Sequence, residues 1–201
     1  MVNFRNLDLG YEQCRDLYNA VKKDGDKLLL DMKTLYTRLN NHWKGTDATL
    51  HINQLVDIHT GINTFVADTG NAVAYAAQEI SQVQGVRRAN GSSGMVGEEL
   101  SQCEEQGRLT KIDETDEYSC TPDVKEDYEM LVDVCTEFDT FVSTVHDKTE
   151  ELMNNWIDGN EREKVVKNSN DFESLSDEYK GYLSETSKAL GIAVSNLSKI
   201  M

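Results

Sequence analysis

Proline is almost absent from this chain of 201 residues, and Pro122 is its only copy. The interior of a helix excludes proline, because the residue lacks the N–H that the helix needs and its ring collides with the preceding turn. Chains built from many short strands use proline and other turn-forming residues between the strands. A chain this long with one proline therefore favours long helices, and its mean hydropathy of −0.56 fits helices with one polar face.

Apolar residues recur at steps of three, four or seven in four segments, as one face of a helix requires. The first stripe is Leu17, Val21, Leu28, Met32, Leu35 and Leu39, with an interruption near Gly25. The second is Leu55, Ile58, Ile62, Phe65, Thr69, Val73, Ala76, Ile80 and Val83. The third is Leu131, Val134, Phe138, Phe141, Val145 and Leu152. The fourth is Phe172, Tyr179, Leu183, Leu190, Ala193, Leu197 and Ile200, with Ser176 and Thr186 at two further core positions.

Four such stripes predict an all-α protein in which two helical hairpins form one antiparallel four-helix bundle. The hairpins are predicted at 1–86 and 121–201. The connector between them, 87–120, contains four glycines and no sustained period, so it is either a flexible strap or a segment with short structure of its own. A homodimer that exchanges helices between chains is the alternative to pairing within one chain.

Local signals mark two helix starts in the second half. Thr121 before Pro122 predicts a helix with the threonine as N-cap and the proline at the first helical position. Asn160 with Glu163 resembles a capping box at the start of the fourth helix.

Acidic residues outnumber basic ones by 36 to 20, which excludes the clustered positive charge that nucleic acid needs. Residues 1–100 carry ten basic and twelve acidic side chains, whereas 101–201 carry ten basic and twenty-four acidic ones. The second half therefore presents either a solvated surface or an acidic face that steers a basic partner.

A tryptophan and a glycine lie close together in the middle of each predicted hairpin. The segments are "LNNHWKGTDATL" at 39–50 and "LMNNWIDGNERE" at 152–163. Trp43 and Gly45 are separated by one residue, and Trp156 and Gly159 by two. Glycine supplies the positive φ that a sharp turn needs, and tryptophan can cover the end of a bundle.

Two amphipathic helices joined by a W-x-G turn resemble the WXG superfamily, whose small proteins are exported by type VII secretion. The resemblance covers both hairpins but not the connector, and Trp156 to Gly159 departs from the motif by one inserted residue. In that family two hairpins pair as separate chains, so this chain looks like two of them fused. The resemblance implies a type VII substrate or co-secreted partner, exported without a cleavable signal peptide. The implied partners are the secretion ATPase and a larger helical toxin.

A family export signal, Y-x-x-x-D/E late in the second helix, is matched by Tyr75 and Glu79. Side chains four residues apart share one face of a helix, and the phase of Tyr75 relative to Val73 and Ala76 places it on the outer side. In the second hairpin Tyr182 is followed by an acidic residue only three places on, so that half lacks the signal.

No motif of catalysis, cofactor binding or metal binding is present, so the protein is not expected to be an enzyme, and neither a cofactor nor a metal site is expected. The four cysteines contain no C-x-x-C pair and are expected to be free thiols. His51 and His59 are expected to be solvated or to lie near the turn. No apolar run approaches the ~20 residues of a membrane span. Two further functions remain open: a cytosolic adaptor for the helical leader of a toxin, and a plain structural bundle.

Overall fold

The computed structural model describes residues 2–115 and 117–198, and most of them are helical. The first helical stretch consists of α1 (Leu7–Asn19), a π-helical segment (Ala20–Asp24) and α2 (Gly25–His42). The other helices are α3 (Thr46–Ala89), α4 (Val124–Asn155) and α5 (Asn160–Leu197). The short strands are β1 (Asn3–Phe4), β2 (Trp43–Lys44), β3 (Ser119–Cys120) and β4 (Trp156–Asp158). The all-α prediction is therefore confirmed; Ile200 of the fourth stripe lies outside the described residues.

The interruption predicted near Gly25 is a π-helical segment and not a break in the chain. The segment ends at Asp24, and α2 continues from Gly25. A Cβ at Gly25 would lie 2.5 Å from Cγ2 of Val66, so the absent side chain lets α3 approach closely. Phe141 of α4 lies against the same point.

The third helix begins later than the sequence predicts. Thr121 and Pro122 precede α4, and the N–H of Val124 donates to the carbonyl of Thr121 at 3.1 Å. This three-residue step forms a tight turn that leads into the helix. The Thr121 hydroxyl lies 3.4 Å from a carboxylate oxygen of Asp123. Similarly, α3 extends three residues beyond the predicted end of the first hairpin, through Ala89.

The chain forms two compact units, and neither of them is one of the predicted hairpins. The first unit comprises Met1–Asp26, Thr64–Glu105 and Phe141–Glu173. The second comprises Lys27–Asn63, Gln106–Thr140 and Ser174–Met201. Each unit thus combines parts of both hairpins and part of the connector, because apolar residues of one hairpin pack against apolar residues of the other.

Three phenylalanines form the centre of the first unit. Phe65 of α3 stacks on Phe172 of α5, with ring centroids 4.1 Å apart. Phe141 of α4 meets both rings edge-on, at 6.2 Å and 5.8 Å. All three belong to predicted stripes and all are buried. Val83, which the second stripe also included, is 36% exposed because that stripe ends before the helix does.

The second unit buries most of the stripe positions that lie within it, and Leu197 is half-buried. Phe138 of α4 lies 6.4 Å from the ring of Tyr179 of α5, and Tyr179 in turn packs over Gly61 of α3. Ser176 and Thr186 are buried, as their places on the fourth stripe predict. The Thr186 hydroxyl donates to the carbonyl of Tyr182 one turn earlier at 2.8 Å, which satisfies it inside the helix.

The connector contains one short strand, β3, and its first residues end α3. Residues 92–115 have no regular secondary structure, but helical side chains hold their backbone. In the second unit, Asn63 pairs with both backbone groups of Gln106, at 2.8 Å and 2.9 Å. Asn53 pairs with both groups of Ile112 in the same way, at 2.8 Å and 3.0 Å. In the first unit, Asn71 pairs in the same way with both backbone groups of Cys103.

Candidate functional site

The first W-x-G turn is built from a short strand as well as from a glycine. Trp43 follows the last residue of α2 and pairs, within β2, with Cys120 of β3 in an antiparallel ladder. The ladder extends by one bond, because the N–H of Thr121 donates to the carbonyl of His42 at 2.9 Å. The segment that leads into α4 therefore holds the turn of the first hairpin.

The second turn is held in the same way by the N-terminus of the chain. Phe4 of β1 pairs with Trp156 of β4, and Asn3 pairs with Asp158. Ile157 is consequently left unpaired as a β-bulge. The bulge accommodates the residue that separates this sequence from the W-x-G pattern.

Both glycines adopt the backbone conformation that the motif requires. Gly45 has φ +125° and Gly159 has φ +135°, a region that other residues rarely enter. The carbonyl of Gly45 accepts the N–H of Thr49 at 2.9 Å, and that of Gly159 accepts the N–H of Glu163 at 3.2 Å. Each glycine thus reverses the chain and begins the next helix.

Both tryptophans are buried within the turns. Trp43 is 3% exposed and Trp156 is 1% exposed. Trp43 stacks on His51, with ring centroids 5.8 Å apart. Trp156 stacks on Phe4 at 5.1 Å, and its indole N–H donates to the carbonyl of Asp158 at 3.1 Å.

A buried carboxylate near the first turn was not found from the sequence. Asp127 of α4 is fully buried and lies 2.6 Å from Nε of Arg38 and 2.7 Å from Nδ1 of His42. Arg38 also reaches Glu126 at 2.9 Å. The one available signal is that Arg38 and His42 lie four residues apart on α2 and so face the same neighbour. The cluster ties α2 to α4.

The Tyr75 side chain is at the surface, as its helical phase predicts. It is 52% exposed, although the alanines on both sides of it, Ala74 and Ala76, are buried. Glu79 lies one turn further along α3 and is half-buried. Tyr182, the tyrosine with the other spacing, donates its hydroxyl hydrogen bond to Glu178.

An open cleft of about 570 Å³ lies beside Tyr75 in the first unit. Polar groups of three segments line it, including Asp68 from α3, Glu99 from the connector and Lys164 from α5. Lys164 is paired with Glu161 at 2.8 Å, so the cleft is acidic on balance. Tyr75 is the aromatic side chain of this cleft.

His51 and His59 of α3 are both buried, so neither is solvated, although His51 lies near the turn as the second alternative expects. His51 is near the turn, where its Nδ1 lies 3.0 Å from Gln54 and 3.2 Å from Thr186. His59 is fully buried, and neither ring nitrogen has a hydrogen-bond partner among the described residues. Burial, with Lys33 nearby, lowers the pKa of His59 to about 4.

The four cysteines are free thiols. Burial raises the pKa of Cys14 far above its usual range and that of Cys135 to about 11. Burial also raises the pKa of Cys103 and Cys120. The reactive thiolate form is therefore disfavoured at all four. Within residues 2–115 and 117–198, no group of His, Cys, Asp and Glu side chains is placed to hold a metal ion.

Comparisons with protein-family models, with curated proteins and with solved structures give no match. The WXG resemblance therefore depends on the residues of the two turns. Among the described helices, none has the length and apolar character to cross a membrane.

Proposed function

We propose that this chain is a single-chain equivalent of a WXG hairpin pair that acts by protein–protein interaction as a type VII secretion substrate or co-secreted partner. Its four helical stretches would form an antiparallel four-helix bundle with W-x-G-type turns. Support comes from the two turns, in which the strand leading into each hairpin pairs with the turn of the other. A chain that supplies both strands carries its own pairing partner.

The exposed face with Tyr75 and Glu79 is the proposed recognition surface for the secretion ATPase. The observation that carries this proposal is the half-exposed Tyr75 ring between two buried alanines. Burying the ring would stabilise the protein, so its outward position leaves it available to a partner. The acidic cleft beside it would favour a partner with basic groups.

Secretion of Tyr75→Ala and Glu79→Ala variants tests the proposal in a strain with a working type VII apparatus. We expect both variants to remain in the cell. The melting temperature of Tyr75→Ala should change little, because surface substitutions usually alter stability by less than ~0.5 kcal/mol. Tyr182→Ala is the matched control, and it should be secreted normally. Normal secretion of Tyr75→Ala would remove the export signal and leave only the hairpin resemblance.

The adaptor alternative predicts a different result. An adaptor would stay in the cytosol and co-purify with a larger helical protein, and the Tyr75→Ala variant would keep that partner while the partner's export fails. A plain structural bundle would show neither secretion nor a type VII partner.

A further inference from the structure

In the first unit, an asparagine side chain holds the connector as a neighbouring strand would. Oδ1 of Asn71 accepts the N–H of Cys103 at 2.7 Å, and its Nδ2 donates to the carbonyl of the same residue at 2.9 Å. This exchange of two bonds with one residue reproduces the hydrogen-bonded pair of an antiparallel sheet. It depends on the backbone of the connector and not on the side chain of Cys103.

Three further side chains bind the same stretch through its backbone. Tyr11 donates its hydroxyl to the carbonyl of Glu98 at 2.8 Å, and Tyr18 donates to that of Ser101 at 2.8 Å. The buried Gln84 accepts the N–H of Gly97 at 3.1 Å through its Oε1. The Nε2 of Gln84 donates to Asp8 at 2.7 Å, which fixes the direction of the amide.

Two positions of this stretch are restricted by close packing against the helices. The side chains of Ser101 and Glu99 also reach helical side chains, Tyr18 at 2.8 Å and Gln78 at 3.4 Å. A Cβ at Gly97 would overlap the ring of Tyr11, so no larger residue fits there. Six residues later, Cys103 is buried against Gly70, where a Cβ on the helix would overlap its Sγ. Glu98, and most of the side chains between Gly97 and Cys103, are exposed.

We propose that this surface of α1 and α3 is a receptor for an extended peptide and that the connector is its resident occupant. The incoming partner is an extended segment of another protein, with glycine at one position and a small residue such as cysteine, alanine or serine six positions later. Recognition by backbone hydrogen bonds, with pockets for a few side chains, is how extended peptides add to exposed sheet edges. Here side-chain amides and hydroxyls of helices take the place of the edge strand. The inference does not depend on the type VII proposal.

The tether determines when such a partner can bind. A covalently attached occupant has an effective concentration in the millimolar range, so a free peptide competes poorly with it. A change that weakens the resident connector, and leaves the helices intact, should therefore increase the affinity for an added peptide.

Fluorescence anisotropy on the full chain tests this expectation. The probe is a labelled synthetic peptide of residues 95–105 in which alanine replaces Cys103, to prevent disulfide exchange. We expect the Gly97→Val chain to bind the probe about tenfold more tightly than the wild type, because the tethered competitor no longer fits. Gly94→Val is the matched control, since a Cβ at Gly94 meets nothing within 4 Å, and it should bind as weakly as the wild type.

A second substitution examines the receptor itself. Adding Asn71→Leu to the Gly97→Val chain should abolish the gain in affinity, because the paired bonds to the backbone are lost. Equal binding by the wild-type and Gly97→Val chains would overturn the proposal, as would a gain that survives Asn71→Leu. Circular dichroism establishes that each variant is folded, and Gly97→Ala replaces Gly97→Val if the larger side chain unfolds the chain.

Discussion

The buried histidine of α3 should make the protein sensitive to mild acid. His59 is 0% exposed, and its pKa is about 4 in the folded chain, against an ordinary value of 6.5. Removal from water disfavours the charged imidazolium, and the positive charge of Lys33 acts in the same direction. The folded state therefore keeps His59 neutral at a pH where the unfolded chain has already protonated it.

The size of the effect follows from the two pKa values. Above pH 6.5 the histidine is neutral in both states, so its contribution to stability is fully present. As the pH falls below that value, the unfolded state gains a proton that the folded state does not, and the free energy of unfolding falls by about 1.4 kcal/mol per pH unit. The loss reaches about 2 kcal/mol near pH 5 and levels off at about 3 kcal/mol below pH 4.

Urea unfolding of the wild type and of His59→Leu, at about pH 7.5 and about pH 5, measures this contribution. The wild type should lose about 2 kcal/mol more than the variant between the two conditions, since carboxylates titrate alike in both proteins. His146→Leu is the control, because His146 is exposed and its removal should leave the wild-type pH dependence unchanged. Identical pH dependence in the wild type and His59→Leu would refute a neutral, buried His59.

Three further substitutions test the turns and the buried carboxylate. Trp156→Ala should lower the free energy of unfolding by about 3–5 kcal/mol, because the indole is buried, and a loss below ~1 kcal/mol in urea unfolding would contradict its place in the core. Gly45→Ala should lower the free energy of unfolding by about 1–3 kcal/mol, because Gly45 has a positive φ. Gly181→Ala, inside α5 with open space around it, should be neutral or stabilising by up to ~1 kcal/mol. Melting curves in which the two variants behave alike would exclude the conformational argument. Arg38→Met should lower the free energy of unfolding by about 3 kcal/mol, because it leaves the Asp127 carboxylate buried with one partner fewer. Part of that loss should be recovered in the double variant Arg38→Met/Asp127→Leu. Additive losses in this double-mutant cycle would show that the two groups are not coupled.

The elements of this fold that depend on local sequence were predictable. The helices follow from the three- and four-residue spacing of apolar side chains, which is a property of each segment alone. Ser176 and Thr186 were placed in the core by that spacing despite their hydroxyls, and the structure confirms both. The positive φ of Gly45 follows from the need to reverse the chain within a few residues.

The tertiary structure determines which distant residues each of these elements contacts. Strands of two or three residues carry no period, so the pairing of Phe4 with Trp156, across most of the chain, has no signature in the sequence. The pairing of Asn71 with the backbone of Cys103 has no signature in the sequence either. An asparagine in a helix is equally compatible with a solvated polar position. His59 lies on a helix whose other buried positions are mostly apolar, and only the surrounding packing removes it from water. Periodicity shows which face of a helix is apolar, but the groups that complete the core come from distant parts of the chain, and only folding brings them together.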